Sequence, residues 1–124
     1  MGSAVTVGFI GLGQIGAPMA EHLVDWPDGL VVCDVRTDAT ALFAERGAKV
    51  VATAADVAGA ADVISVMVRD DAQVREVVGE MLPAATAGTV IAIHSTIQPG
   101  TAIELADRAA ARHIDVIDAP VSSV

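Results

Sequence analysis

Apolar residues in this chain fall into short unbroken runs, and between the runs they recur every three or four positions. A short continuous apolar run bounded by turn residues reads as a buried strand, and a three-to-four spacing reads as one face of a helix. The runs Val5 to Ile10, Leu30 to Cys33, Lys49 to Ala52, Val63 to Val68, Thr89 to Ile93 and Ile114 to Ile117 therefore predict six strands. Ile15, Met19 and Leu23 share a helical face until Trp26-Pro27-Asp28-Gly29 breaks that helix, since proline cannot continue it. Thr37 to Arg46 predicts a helix stopped by Gly47, and Ala54 to Ala60 a brief one. Asp70 caps a helix that carries Val74, Val77, Val78 and Met81 and ends at Pro83, an aspartate being a favoured N-cap. A last helix runs from about Pro99 to Arg112.

Strands that are apolar throughout, alternating with helices, mean a parallel sheet covered on both faces. The predicted fold is α/β, a Rossmann-type doubly wound parallel sheet in three layers, with residues 1–124 forming a single domain. Composition agrees. The 124 residues are 53% hydrophobic, with two Phe, one Trp and no Tyr, so small aliphatic side chains fill the core and no aromatic platform exists for stacking nucleic-acid bases. A net charge of −9 argues against a nucleic-acid partner, which would need cations to release its counterions. The single cysteine, Cys33, fits a reducing cytoplasm. No apolar run approaches the about 18 residues of a membrane span, and no signal peptide opens the chain. Met1-Gly2 with Thr6 matches the loose myristoylation pattern, read as chance beside a strand that starts so soon after.

Two features carry chemistry. Gly11-Leu12-Gly13-Gln14-Ile15-Gly16 is a G-x-G-x-x-G string that follows a strand and opens a helix, the context in which that string cradles a dinucleotide. Gly11 permits the tight turn, Gly13 lets backbone approach a pyrophosphate, and Gly16 lets helix and strand pack closely. Asp34 follows Gly16 by 18 residues at the end of the second strand, with Val35 and Arg36 beside it. A carboxylate there accepts hydrogen bonds from an adenosine ribose and repels a 2′-phosphate, whereas a nearby arginine holds one. The reading is NAD as cofactor, with NADP possible through Arg36.

The stretch Val7-Gly8-Phe9-Ile10-Gly11-Leu12-Gly13-Gln14-Ile15-Gly16-Ala17-Pro18-Met19-Ala20 resembles the opening of the β-hydroxyacid dehydrogenases. Ser95-Thr96-Ile97-Gln98-Pro99 is similar to that family's Ser-Thr-Ile-x-Pro motif, and Asp118-Ala119-Pro120-Val121-Ser122 to its Asp-Ala-Pro-Val-Ser-Gly-Gly motif. The resemblance implies an NAD(P)-dependent oxidation of a small 3-hydroxy acid, such as 3-hydroxyisobutyrate, to its semialdehyde. It implies cofactor contacts at Val68, Arg69, Gln73 and Thr96, and substrate contacts at Ser122 and Ser123. Ser95 or Thr96 could instead cap a short turn. This chain departs from the pattern in Arg69, where the family has proline, in His94, where an acidic residue is common, and in Ser123-Val124 for the Gly-Gly pair.

The resemblance also implies a second, all-helical domain bearing the catalytic lysine, beyond the point where these residues stop. The one lysine present, Lys49, precedes a short strand and reads as a solvated charge. His22 and His113 read as surface or packing residues, and His94 as structural, so no residue is assigned to catalysis. Asp62, Asp70, Asp71 and Asp118 lack metal-ligand spacing. Imine reductases share the cofactor-domain pattern but usually lack the Ala-Pro-Val-Ser run. A competing reading is a freestanding NAD(H)-binding module without activity. Another is a fragment whose exposed last strand pairs with a second copy to form a homo-oligomer.

Overall fold

A computed structural model describes residues 4–121; Met1-Gly2 and the expected substrate positions Ser122 and Ser123 lie outside the described residues. Six strands and five helices alternate: β1 (Val7–Ile10), α1 (Gly16–Glu21), β2 (Leu30–Cys33), α2 (Thr37–Glu45), β3 (Lys49–Val50), α3 (Ala54–Ala60), β4 (Val63–Val66), α4 (Asp71–Met81), β5 (Val90–Ile93), α5 (Pro99–Ala110) and β6 (Asp115–Asp118). All pairings are parallel, in the order β3-β2-β1-β4-β5-β6. Because the chain turns outward in both directions from the central pair β1 and β4, a crevice opens above their carboxyl ends. That is where doubly wound sheets bind ligands.

Alternate residues of each strand serve different layers. Val7 and Phe9 of β1, with Leu30 and Val32 of β2, form one core with Leu12, Ala20 and Phe43. Ile10, Val31 and Cys33 point to the opposite layer, joining Val57, Ile64, Val66, Val74, Val78, Ile91, Ile93 and Leu105. At Gly8 a Cβ would stand 2.6 Å from Val57 Cγ1, so the second layer sits close enough to β1 to require glycine there.

Three expectations are corrected. The first helix seats the Ile15, Met19 and Leu23 stripe only in part: Met19 and Leu23 pack half-buried against the first core. Its buried positions are Gly16 and Ala20, while Ile15 is 46% exposed, because the close approach of Gly16 to the first strand decides which side faces in. The first strand begins at Val7 rather than Val5: the Val5 N–H donates to Asp28 Oδ2 (3.0 Å) and its carbonyl accepts from Trp26 Nε1 (2.6 Å). β4 ends at Val66, so Met67 and Val68 leave the sheet for the crevice. The Asp70 cap forms as expected, with Oδ1 accepting from the Gln73 N–H at 2.9 Å.

Candidate functional site

The glycine loop leaves β1 in a conformation that ordinary residues resist. Gly11 has φ +98°, and a Cβ there would lie 2.0 Å from the Met67 carbonyl oxygen. At Gly16 a Cβ would lie 1.9 Å from the Gly11 carbonyl oxygen and 3.3 Å from the Phe9 ring. Gly13 differs: a Cβ there meets nothing closer than Arg36 Nη2 at 4.0 Å. The space beside it is the floor of a cavity of about 630 Å³ walled by Gln14, Ile15, Met67, Val68, Arg69 and Gln73. A backbone bared in this way toward open space fits a pyrophosphate lying against the loop.

A second, smaller lobe of about 250 Å³ adjoins it. Ile10, Cys33, Val35, Ala52 and Thr53 form one side, and Glu76, Val77 and Glu80 on α4 the other. The lobes share Gly11, Asp34, Val35, Val68 and Gln73, so one continuous cleft crosses the ends of β1, β2 and β4. A two-lobed cleft of this kind fits a dinucleotide, with the phosphates against the glycine loop in the large lobe and an adenosine end in the small one.

Asp34 is at the junction, and its carboxylate is turned into the protein, with the side chain only 8% exposed. Oδ2 accepts from the Leu12 N–H (2.6 Å), and Oδ1 accepts from the Arg36 N–H (2.9 Å) and Arg36 Nε (3.3 Å). Arg36 Nη2 donates to the Leu12 carbonyl at 2.9 Å. Burial pushes the carboxyl pKa up, but the backbone bonds from Arg36 and Leu12, with the Arg36 side chain, outweigh it and hold Asp34 below the usual carboxylate range. The Cys33 thiol beside it is pushed up, by burial first and then by Asp34, Glu80 and Asp56. It stays protonated, a small wall residue rather than a nucleophile.

The other expected contacts divide. Val35, Arg36, Val68, Arg69 and Gln73 line the cleft with the glycine loop. Leu12 takes part through its backbone only, since its side chain is buried in the core. Thr96 is exposed and borders neither lobe. Gln73 also closes the turn before α4, its Oε1 accepting from the Arg69 N–H at 2.8 Å. Ser95 is not a helix cap, because α5 is capped at Gln98 without a side-chain bond. Instead the buried Ser95 hydroxyl accepts from the Val68 N–H (2.9 Å) and donates to the Val68 carbonyl (2.8 Å), tying the loop after β4 to the end of β5. His94 places Nδ1 2.9 Å from the Ala119 carbonyl and Nε2 3.0 Å from Ser65 Oγ, and its ring stacks on Phe9.

Thr53, Glu76 and Glu80 went unnoticed in the sequence. The signal for the two glutamates was the spacing Gln73, Glu76, Val77, Glu80, a face of α4 that meets the cleft. Glu80 Oε2 accepts from the Ala54 N–H (2.9 Å), and Thr53 caps α3 through the Asp56 N–H (3.1 Å). Among the described residues, no cluster of His, Cys, Asp and Glu could hold a metal ion, and no helix is long and apolar enough to cross a membrane.

Residues 6–123 match the family model of the NAD-binding domain of 6-phosphogluconate dehydrogenase. The chain is an NAD-binding domain of the β-hydroxyacid dehydrogenase family. An uncharacterised oxidoreductase of Mycobacterium tuberculosis is 50% identical over 119 residues, which cover 94% of this chain and 40% of that protein. The crystal structure of an oxidoreductase from Mycobacterium avium 104 superposes with a TM-score of 0.91 at 53% identity, covering 97% of this chain and 43% of that one. The 3-hydroxyisobutyrate dehydrogenase of M. tuberculosis, solved with L-serine, superposes at 0.89 with 31% identity, covering 98% and 42%. The chain thus spans about two fifths of the relatives it matches.

Proposed function

We propose that this domain is the cofactor-binding part of an NAD(P)-dependent dehydrogenase that oxidises a small 3-hydroxy acid, of the 3-hydroxyisobutyrate type, to its semialdehyde. The observation that carries the reading is the cleft itself. It crosses the central strands at the point where chain direction reverses and is floored by Gly13, in a chain whose likeness to a 3-hydroxyisobutyrate dehydrogenase extends over nearly its whole length. A bound nicotinamide dinucleotide would supply the hydride acceptor. The chain's own residues bind and orient it: the glycine loop receives the phosphates, Arg69 and Gln73 border them across the cleft, and Val35 walls the adenosine end.

Proton transfer from the substrate hydroxyl is assigned to none of these residues. Lys49 is exposed on β3, at the edge of the sheet, and both ring nitrogens of His94 are engaged. The family resemblance implies a lysine on a helical domain that takes the proton of the substrate hydroxyl while hydride passes to the nicotinamide. The single free cysteine, Cys33, supports a cytoplasmic enzyme.

The test is a chimera in which residues 1–124 replace the matching part of the M. tuberculosis 3-hydroxyisobutyrate dehydrogenase. The chimera is expected to reduce the dinucleotide with 3-hydroxyisobutyrate or a close homologue, and the 124-residue chain alone to bind dinucleotide without turnover. Binding by a folded chimera with no reduction for any small hydroxy acid would favour the inactive binding module instead.

A further inference from the structure

His94 is the first residue beyond β5, and its ring meets β1, β4 and the segment that leaves β6. Phe9 of β1, Ser65 of β4 and Ala92 of β5 lie side by side in register. The His94 N–H extends the ladder by donating to the Val66 carbonyl at 2.9 Å. His94 follows Ala92 by two positions, which puts both on one face of the sheet. The ring therefore stacks on Phe9, with centroids 6.4 Å apart. Its two nitrogens reach Ser65 Oγ at 3.0 Å and the Ala119 carbonyl at 2.9 Å.

Ala119 opens a segment that burial does little to hold. β6 contributes no buried residue, and Ile117, Asp118, Pro120 and Val121 are exposed. The first core draws none of its buried residues from β4, β5 or β6. Hydrogen bonds to the end of β5 hold the segment instead. The Ala119 N–H donates to the Ile93 carbonyl at 2.8 Å, and the Val121 N–H to the His94 carbonyl at 3.3 Å. The bond to the Ala119 carbonyl is the one that a side chain makes.

The partners of the ring also set its proton. A carbonyl only accepts, so Nδ1 carries hydrogen, and in the neutral ring Nε2 accepts from the Ser65 hydroxyl. Ser65 and Phe9 thus hold the imidazole from behind while it holds Ala119. Because β1, β4, β5 and β6 are parallel, the segment leaves the sheet at the same edge as the glycine loop. Its continuation in the chain is Ser122, the substrate position that the resemblance implies. A binding residue is placed only as well as the groups that lock its support.

We propose that His94 is a positioning residue for the substrate: through Nδ1 it holds the Ala119–Val121 backbone that leads into the substrate-binding residues. The inference rests on the dehydrogenase reading above and gives His94 no part in proton transfer. His94 borders neither lobe of the dinucleotide cleft, so its loss is felt by the hydroxy acid and not by the dinucleotide.

Two variants separate the ring nitrogens, because an asparagine amide nitrogen takes the place of Nδ1 and a glutamine amide nitrogen that of Nε2. In the chimera with the M. tuberculosis enzyme, His94→Gln is expected to raise the KM for the hydroxy acid at least about fivefold, as one lost hydrogen bond does, and to change kcat less. His94→Asn is expected to keep that KM within about twofold, and both variants to keep the dinucleotide KM within about twofold. Equal losses in the two variants, or a dinucleotide KM that rises as much as that of the acid, would show a packing role and overturn the proposal. Nitrogen-15 NMR of the unaltered 124-residue chain needs no variant: the neutral His94 ring is expected to carry its proton on Nδ1, and a proton on Nε2 overturns the proposal. An active chimera whose hydroxy-acid KM ignores both variants overturns this inference alone. A chimera that keeps His94 and turns over no small hydroxy acid overturns the dehydrogenase reading and the substrate role together.

Discussion

Gly13 and its two companions, Gly11 and Gly16, belong to one six-residue string and yet answer to different demands. Gly11 and Gly16 are required by the protein itself: a Cβ at either would stand within about 2 Å of a backbone carbonyl oxygen, at 2.0 and 1.9 Å. Gly13 is required by nothing in the protein, since a Cβ there finds its nearest neighbour at 4.0 Å. The contrast separates a motif's structural half from its binding half without any ligand in view.

Substitution at each glycine is the most forceful way to break the comparison. Gly16→Ala is expected to cost about 4 kcal/mol or more, among the large effects that backbone overlap produces, read as a loss of urea midpoint. Gly13→Ala is expected to leave stability unchanged to within about 1 kcal/mol, while dinucleotide affinity falls at least about tenfold as its methyl group meets the phosphates. Equal destabilisation by the two alanines would erase the distinction.

The next effect is smaller and lies behind Val68, at the end of β5. Ser95 is 1% exposed and satisfies both backbone groups of Val68. Ser95→Ala is expected to cost about 2 kcal/mol, the penalty for leaving buried polar groups unpaired. Thr96→Ala, one residue on and exposed, is expected to change stability by less than about 0.5 kcal/mol. Thermal melts of the two variants side by side check this, and a Thr96 effect as large as that of Ser95 would contradict the assignment.

The smallest effect is a pH dependence. Because Asp34 is held below its ordinary value in the folded state, its contribution is fully present above the unfolded carboxylate value of about 3.9. It is lost as pH falls through the depressed folded value. Asp71 behaves alike, held down first by the Thr101 hydroxyl and then by the Gln98 N–H. Urea midpoints for the unaltered chain and Asp34→Asn, from neutral pH into the acid range, are expected to converge on acidification. A constant gap between the two curves would show that the Asp34 charge contributes nothing.

Much of this architecture was legible one residue at a time. The six strands, the glycine stops at Gly47 and after β1, the Asp70 cap and the helix Ala54–Ala60 follow from apolar runs and short-range hydrogen bonds, interactions that reach no further than a few residues. Strand ends were less legible: Val5 looks like a strand residue until Trp26 and Asp28, more than twenty positions away, take up its backbone groups. The glycine loop and Asp34 were found from spacing, but what Asp34 does was not. Its partners Leu12 and Arg36 are contributed by two different connections that meet only once β1 and β2 lie in register.

The sequence by itself determined the element order, the parallel sheet, the family and the place of the cleft, because periodicity and turn chemistry are local and are written in consecutive residues. Tertiary structure alone decided which side of the first helix is buried, that Ser95 ties two loops instead of capping a helix, that α4 lends Glu76 and Glu80 to the cleft, and that the charge of Asp34 is already matched by Arg36. The Ser95 bonds to Val68 and the Leu12 bond to Asp34 depend on groups brought within hydrogen-bond reach from separate connections, and a contact energy that falls off within a few ångströms leaves no trace in the spacing along the chain.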